Sequence, residues 1–191
     1  MTPRLLAFAG SVRRDSFNAR LARFAAREAE AAGAEVLLLD LAEFDLPLYN
    51  GDLEAGEGLP PGAARLKEPF LAHDGFLIAS PEYNGSISPL LKNAVDWVSR
   101  PVAGQPPLVW YAGKVAGLMA ASPGALGGLR GLVHVRQILS GIGVIVAPAQ
   151  HAIARAGDAF DDEGGLAEEP HGAAVRRVVR ETVRLAAKLG A

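Results

Sequence analysis

Runs of four to eight successive apolar residues alternate, along this 191-residue chain, with longer segments whose apolar positions recur every three to four residues. The first pattern reads as strands covered on both faces, the second as helices packed on such a sheet. Strands are expected at Leu5–Ala9, Glu35–Leu39, Phe76–Ala79, Val115–Ala121 and Val144–Ala147. Helices are expected at roughly Phe17–Ala32, Ala63–Ala72, Pro89–Ser99, Leu129–Ile142 and Gly172–Leu189. In the last helix Val175, Val178, Val179, Thr182 and Ala186 form the stripe that would meet the sheet, while Arg176, Arg177, Arg180 and Arg184 form a solvated row. Strand and helix alternate with no internal repeat, which specifies an α/β domain: three layers, doubly wound around a five-stranded parallel sheet. The Pro- and Gly-bearing stretches Leu41–Gly62, Pro101–Gly113 and Pro148–Pro170 are too short for linkers and read as loops, so residues 1–191 are expected to form one domain.

Composition narrows the chemistry. Half the residues are hydrophobic and the formal net charge is −2, so no basic face for nucleic acid is expected. There is no cysteine, which excludes disulfides, thiolate metal sites and thiol catalysis. The start, Met1-Thr2-Pro3-Arg4, leads directly into a strand without a signal peptide or membrane span, the pattern of a cytoplasmic protein. His73, His134, His151 and His171 are scattered without metal-ligand spacing, and no GxSxG elbow is present. Asp161-Asp162-Glu163-Gly164-Gly165 lacks the alternation of a calcium loop and reads as a tight surface turn.

Three loops carry the remaining polar chemistry. Gly10-Ser11-Val12-Arg13-Arg14-Asp15-Ser16-Phe17-Asn18 joins the first strand to the first helix. It offers hydroxyls from Ser11 and Ser16, a guanidinium from Arg13 and the free amides of a helix start, a donor set suited to a phosphate dianion. It lacks the three glycines of a dinucleotide fingerprint and the lysine of an NTPase loop, which points to a phosphomonoester held by side chains. Asp40, after the second strand, reads as a turn residue rather than a ribose-binding acid. The second loop, Ser80 to Pro89, follows the third strand with Pro81, Glu82, Tyr83, Asn84, Gly85 and Ser86, longer than a simple connection needs. Ser88 caps the next helix and Pro89 occupies its first turn. The third, Ser122-Pro123-Gly124-Ala125-Leu126-Gly127-Gly128, follows the fourth strand, and its glycines allow close backbone approach to a flat ligand. In the flavodoxin-like strand order 2-1-3-4-5 these loops converge at the topological switch point, where FMN binds.

These residues make the chain recognisable. It resembles the NADPH-dependent FMN reductase family of the flavodoxin superfamily, most closely its bacterial quinone/chromate reductase branch. The resemblance rests on G-S-x-R-x-x-S-x-N at Gly10 to Asn18, on P-E-Y-N-x-S and L-K-N-A-x-D-W-x-S-R at Pro81 to Ser86 and Leu91 to Arg100, and on S-x-G-x-x-G-G at Ser122 to Gly128. It implies that Ser11, Arg13, Ser16, Phe17 and Asn18 hold the FMN phosphate, that Pro81, Glu82, Tyr83, Asn84, Gly85 and Ser86 run along the ribityl chain and isoalloxazine, and that Ser122, Gly124 and Gly127 border the other side. It further implies NAD(P)H as electron donor, and quinones, free flavin, azo compounds or metal oxyanions as small-molecule acceptors served by a ping-pong mechanism. No metal and no catalytic side chain are implied, because the flavin carries the chemistry while Tyr83 and Asn84 line its site. The family assembles as homodimers or homotetramers, and the segment Asp45–Tyr49 resembles one that lines a neighbouring site. Val133 departs from relatives that carry a tyrosine there. Trp97, Trp110 and Tyr49, in or beside the loops, are candidate interface aromatics, the alternative for both tryptophans being that they fill the domain core. The competing readings are a flavodoxin-type electron carrier, usually more acidic than this chain, and a flavin-binding module without turnover.

Overall fold

The computed structural model describes residues 1–161, 163–167 and 169–190. Its elements in chain order are β1 (Arg4–Ala9), α1 (Phe17–Ala31), β2 (Glu35–Leu39), a 3₁₀ turn (Leu41–Glu43), α2 (Gly51–Glu57), α3 (Pro61–Ala72) and β3 (Gly75–Ala79). There follow β4 (Glu82–Tyr83), β5 (Ser86–Ile87), α4 (Pro89–Ser99), β6 (Val115–Ala121), α5 (Leu129–Gly141), β7 (Ile145–Ile153) and α6 (Glu169–Leu189). Side chains alternate across a strand. Leu5, Ala7 and Ala9 of β1 therefore enter a core with α1 and α6, while Leu6 and Phe8 enter a second core with α3, α4 and α5. Two apolar faces on one strand require helices on both sides, and the expected three-layer arrangement follows. The large sheet runs β2-β1-β3-β6-β7, all parallel, with β4 and β5 pairing separately. Omitting that hairpin, the order is the flavodoxin-like 2-1-3-4-5. Among the described residues no helix is long and apolar enough to cross a membrane.

The structure departs from the sequence reading at the sheet edges. The expectation that every strand is covered on both faces fails for β2, where Leu37 and Leu38 remain about half exposed at 43% and 47%. β2 pairs only with β1 and lies at the edge, where the helix layers thin out. β7 runs six residues beyond its expected end, from Ala147 to Ile153, through a bulge. Ala116 pairs with Val146 and Leu118 next pairs with Gln150, leaving Pro148 in the irregular stretch where its missing N–H breaks no ladder bond. Side chains satisfy the freed backbone: Arg136 Nη2 donates to the Ala147 carbonyl at 2.8 Å, and the Ala149 amide donates to Glu181 Oε2 at 3.0 Å. Helical turns also occupy part of the stretch 41–62 that reads as loop, where Asp40 and Asn50 cap the 3₁₀ turn and α2. Within the Asp161–Gly165 turn, Gly164 and Gly165 amides donate to Asp161. Asp162 lies outside the described residues.

The two tryptophans expected at an interface have other employment. Trp97 and Trp110 are 0% and 3% exposed within the chain's own core, so they fill the domain and mark no subunit contact. Trp110 also roofs an unusual group. Lys67, on α3, is 4% exposed and donates to the Val98 and Arg100 carbonyls at 2.7 and 2.6 Å, closing the C-terminal end of α4. Its ammonium lies 3.4 Å from the Trp110 ring centroid. Burial, with the nearby Arg100 charge, pushes the Lys67 pKa down to about 8.

Lys67→Met should lower stability in urea denaturation at pH 7 by about 1–3 kcal/mol, because two helix-end carbonyls lose their donor. The pH dependence has a definite sign. Between about 8 and the ordinary lysine value of 10.5 the unfolded chain holds a proton that the folded chain has released. Folding stability carried by this group therefore rises with pH across that window, and the rise should be absent in the Met variant.

Candidate functional site

The ends of β1, β3 and β6 lie side by side, and the loops that leave them are tied together by a few buried polar side chains. Asn18 Nδ2 donates to the Ala121 carbonyl at 2.8 Å while its Oδ1 accepts the Ala121 amide at 3.0 Å. One side chain thus clips the start of α1 to the end of β6, 103 residues away in sequence. Ser16 caps α1, its Oγ accepting the Ala19 amide at 3.3 Å. Ser88 does the same for α4 through the Leu91 amide and also donates to the Gly10 carbonyl at 2.6 Å, tying the second loop to the first.

The loop Ser80 to Pro89 is more ordered than its length suggests. Glu82–Tyr83 and Ser86–Ile87 form a two-residue hairpin whose turn is Asn84-Gly85, with φ of 52° and 80°. Both values are positive, which a type I′ turn requires and which Asn-Gly supplies. Asn84 and Gly85 therefore owe their identity at least in part to this turn. Glu82 anchors the hairpin to α5: its Oε1 accepts the Arg130 guanidinium at 2.8 Å and its Oε2 the Gly131 amide at 3.1 Å. Burial alone would raise the Glu82 carboxyl, but the bonds from Arg130 and Gly131 outweigh it and hold the group below the usual carboxylate range. Ser86 Oγ lies 2.9 Å from His134 Nδ1.

A small cleft of about 70 Å³ opens where the loops meet, lined by Ser11, Arg13, Ser16 and Phe17, with Pro81, Tyr83 and Ser122 opposite. Asn18 and Glu82 also border it. Drug-sized ligands occupy several hundred Å³, so this cleft suits an anionic head group whose remainder lies along the open surface. The donor set fits a phosphate. The first-turn amides of α1 have no acceptor within the helix, its first turn carries no acidic residue, and Arg13 has no ion-pair partner among the described residues. Tyr83, 46% exposed, stands at the cleft mouth.

The other predicted residues are distributed around this cleft. Gly124 follows Ser122, whose Oγ accepts its amide at 3.2 Å. A Cβ there would meet nothing closer than that Oγ at 3.6 Å, so the chain's own packing does not demand glycine. Gly127, by contrast, is fixed by packing: at φ 62° a Cβ would sit 2.6 Å from the Ile153 backbone. Asn84, Gly85, Ser86, Gly124 and Gly127 do not line the phosphate-sized cleft itself.

Sequence reasoning missed what the second motif does. Asn93, Trp97 and Arg100 hold the segment Asp45–Asn50. Asn93 Oδ1 accepts the Tyr49 amide at 2.8 Å, and Trp97 Nε1 donates to the Pro47 carbonyl at 2.7 Å. Arg100 pairs with Glu54 at 2.8 Å, and Glu54 also accepts the Tyr49 hydroxyl. The spacing i, i+4, i+7 along α4 was the available signal.

The family model for NADPH-dependent FMN reductase matches residues 3–158. The chain belongs to that family. It is 37% identical over 168 residues to an NAD(P)H-dependent FMN reductase of Pseudomonas aeruginosa, covering 87% of this chain and 85% of that one. It is 43% identical over 136 residues to a probable NADPH:quinone oxidoreductase of Oryza sativa, covering 71% of this chain but only 63% of the rice protein. Among solved structures, FerB of Paracoccus denitrificans, described as a flavoenzyme NAD(P)H:(acceptor) oxidoreductase, superimposes with a TM-score of 0.83 at 30% identity over 98% of both chains.

The Asn18 clip should be costly to remove. Asn18→Ala leaves a buried carbonyl and a buried amide of Ala121 unpaired, and a loss of about 2–4 kcal/mol is expected in urea denaturation.

Proposed function

We propose that this protein is a cytoplasmic FMN-dependent NAD(P)H oxidoreductase that reduces quinones and related small acceptors. The observation that carries the proposal is the cleft at the switch point: Arg13 without a carboxylate partner, Ser11, Ser16 and an uncapped-by-acid helix start, next to an exposed tyrosine and a glycine with no internal reason to be one. Ser11, Arg13, Ser16 and the α1 amides would hold the FMN phosphate, and Phe17 would pack beside it. Pro81 and Tyr83, with the hairpin tip Asn84-Gly85, would border the ribityl chain and ring on one side, and Ser122, Gly124 and Gly127 on the other. Bound FMN would supply the redox chemistry, taking a hydride from NAD(P)H and giving electrons to an acceptor. The protein's part is positional. Asn18 and Ser88 hold the loops at fixed spacing, Glu82 fixes the hairpin against α5, and no side chain moves a proton in this reading.

Donor and acceptor would occupy the same open face in turn, which gives a ping-pong pattern; azo compounds, free flavin and metal oxyanions belong to the same acceptor class. A homodimer or homotetramer is part of the proposal, supported by the exposed apolar residues Leu48, Leu129 and Val133, and light scattering should return two or four times 19.9 kDa. The near-neutral charge favours an enzyme over an acidic electron carrier.

Arg13→Ala should weaken FMN about tenfold to a hundredfold by fluorescence titration, since one charge-assisted bond contributes roughly 1.5–3 kcal/mol. Riboflavin should bind the unaltered protein poorly; equal affinity for FMN and riboflavin would remove the phosphate assignment. Steady-state rates with a small quinone should give parallel double-reciprocal lines, and intersecting lines would contradict successive use of one face.

A further inference from the structure

A second cleft lies on the other side of the first loop, between the carboxyl ends of β1 and β2, and the proposed function leaves it unused. Its volume is about 240 Å³, more than three times that of the phosphate cleft at about 70 Å³, and the two share Ser11 and Arg13. Its chemistry is mixed in an ordered way. Arg13, Arg14 and Arg23 line it, with Arg14 and Arg23 exposed and none of the three side chains engaged in a hydrogen bond or ion pair among the described residues. Its apolar lining comes from the exposed Val12 and Leu38, with Ala19 and the buried Ala9 and Ala22. Asp40 and Glu43 bring carboxylates. Asp40 Oδ1 accepts the Ala42 amide at 2.9 Å, so this residue caps a turn and lines the cleft together.

A bare inorganic anion would gain from the guanidiniums but be repelled by the carboxylates. A purely apolar ligand would leave both sets unused. A ligand that satisfies all three carries phosphate for the arginines, hydroxyl donors for the carboxylates and a flat apolar ring for the surface of Val12 and Leu38. That is a phosphorylated nucleoside, whose phosphate suits the planar, bidentate donors of arginine. The arginines form a local concentration that the net charge of −2 does not disclose: Arg13, Arg14, Arg20, Arg23 and Arg27 all border one adjoining groove.

We propose that the cleft between the β1 and β2 ends binds a phosphorylated adenosine group, with Arg14 and Arg23 contacting its phosphate and Asp40 or Glu43 its ribose. Two sources of this group are distinguished by the test below, the donor of the proposed reaction and a dinucleotide flavin in place of FMN. One is the 2′-phosphoadenosine end of NADPH; the other is the adenylate half of FAD, which would leave the phosphate cleft past Arg13. The binding itself does not rest on the reductase reading; only the source of the group does.

Calorimetric titration of the purified FMN-loaded protein with 2′,5′-ADP and with 5′-AMP tests it. Binding of at least one at sub-millimolar concentration is expected, weakened tenfold or more in Arg14→Ala/Arg23→Ala, both exposed positions outside the phosphate cleft. Retained FMN affinity in that variant shows that the first site is intact. Preference for 2′,5′-ADP, with a rise in the KM for NADPH but not NADH in the variant, assigns the cleft to the donor. Preference for 5′-AMP, with FAD displacing FMN from the unaltered protein but not from the variant, assigns it to a dinucleotide flavin. No binding of either nucleotide, or equal binding by protein and variant, overturns the proposal. Nucleotide binding without any NAD(P)H oxidation would instead refute the reductase reading and leave the cleft standing.

Discussion

The buried amide of Asn18 is the constraint on which the rest of the site depends. A parallel sheet brings strand ends together but does not by itself set the spacing of the loops that leave them. Here two hydrogen bonds to one residue, Ala121, fix the start of α1 against the end of β6, and Ser88 fixes the second loop to Gly10. Each bond satisfies a buried backbone group that would otherwise be unpaired, so the loop arrangement is enforced by the same physics that stabilises the core. The cleft lies between the loops so fixed, and the Arg13 guanidinium that lines it has no internal partner among the described residues.

The hairpin adds a second level of control. Its two strands are too short to stand alone, and an isolated hairpin is marginal in water. Glu82 compensates by bonding to Arg130 and Gly131, so the hairpin is carried by α5 rather than by its own ladder. Arg130 also lies over the turn, 3.9 Å from where a Cβ on Gly85 would be. A similar division holds on α4, whose inner face enters the core while Asn93, Trp97 and Arg100 hold the segment before α2. The polar side chains around the site largely position backbone, and the cleft itself is lined by the hydroxyl residues Ser11, Ser16 and Ser122 and by Arg13.

Much of this was legible in the sequence, and for identifiable reasons. The strands β1, β3 and β6 are buried on both faces, so their apolar runs are unbroken; Ser16 and Ser88 announce their helices because capping chemistry is local. What the sequence hid is mostly non-local. Whether Asn18 faces a ligand or the Ala121 backbone depends on a contact across the sheet. Trp97 and Trp110 read equally well as interface or core until the packing of α3 on α4 is known. Pro148 looked like the end of a strand because a bulge can be recognised only with both partners in hand. The Asn84-Gly85 turn was readable, since Asn-Gly is a strong hairpin signal, but the length of the loop drew attention to ligand chemistry instead.

The central claim is that these loops hold a flavin with one face open to a small donor. Rapid anaerobic mixing of the FMN-loaded protein with NADPH and with NADH tests it most directly. Loss of the visible flavin absorbance is expected with at least one nicotinamide at a rate no slower than steady-state turnover, with its return on adding a quinone. A flavin that stays oxidised for minutes with both donors would contradict it.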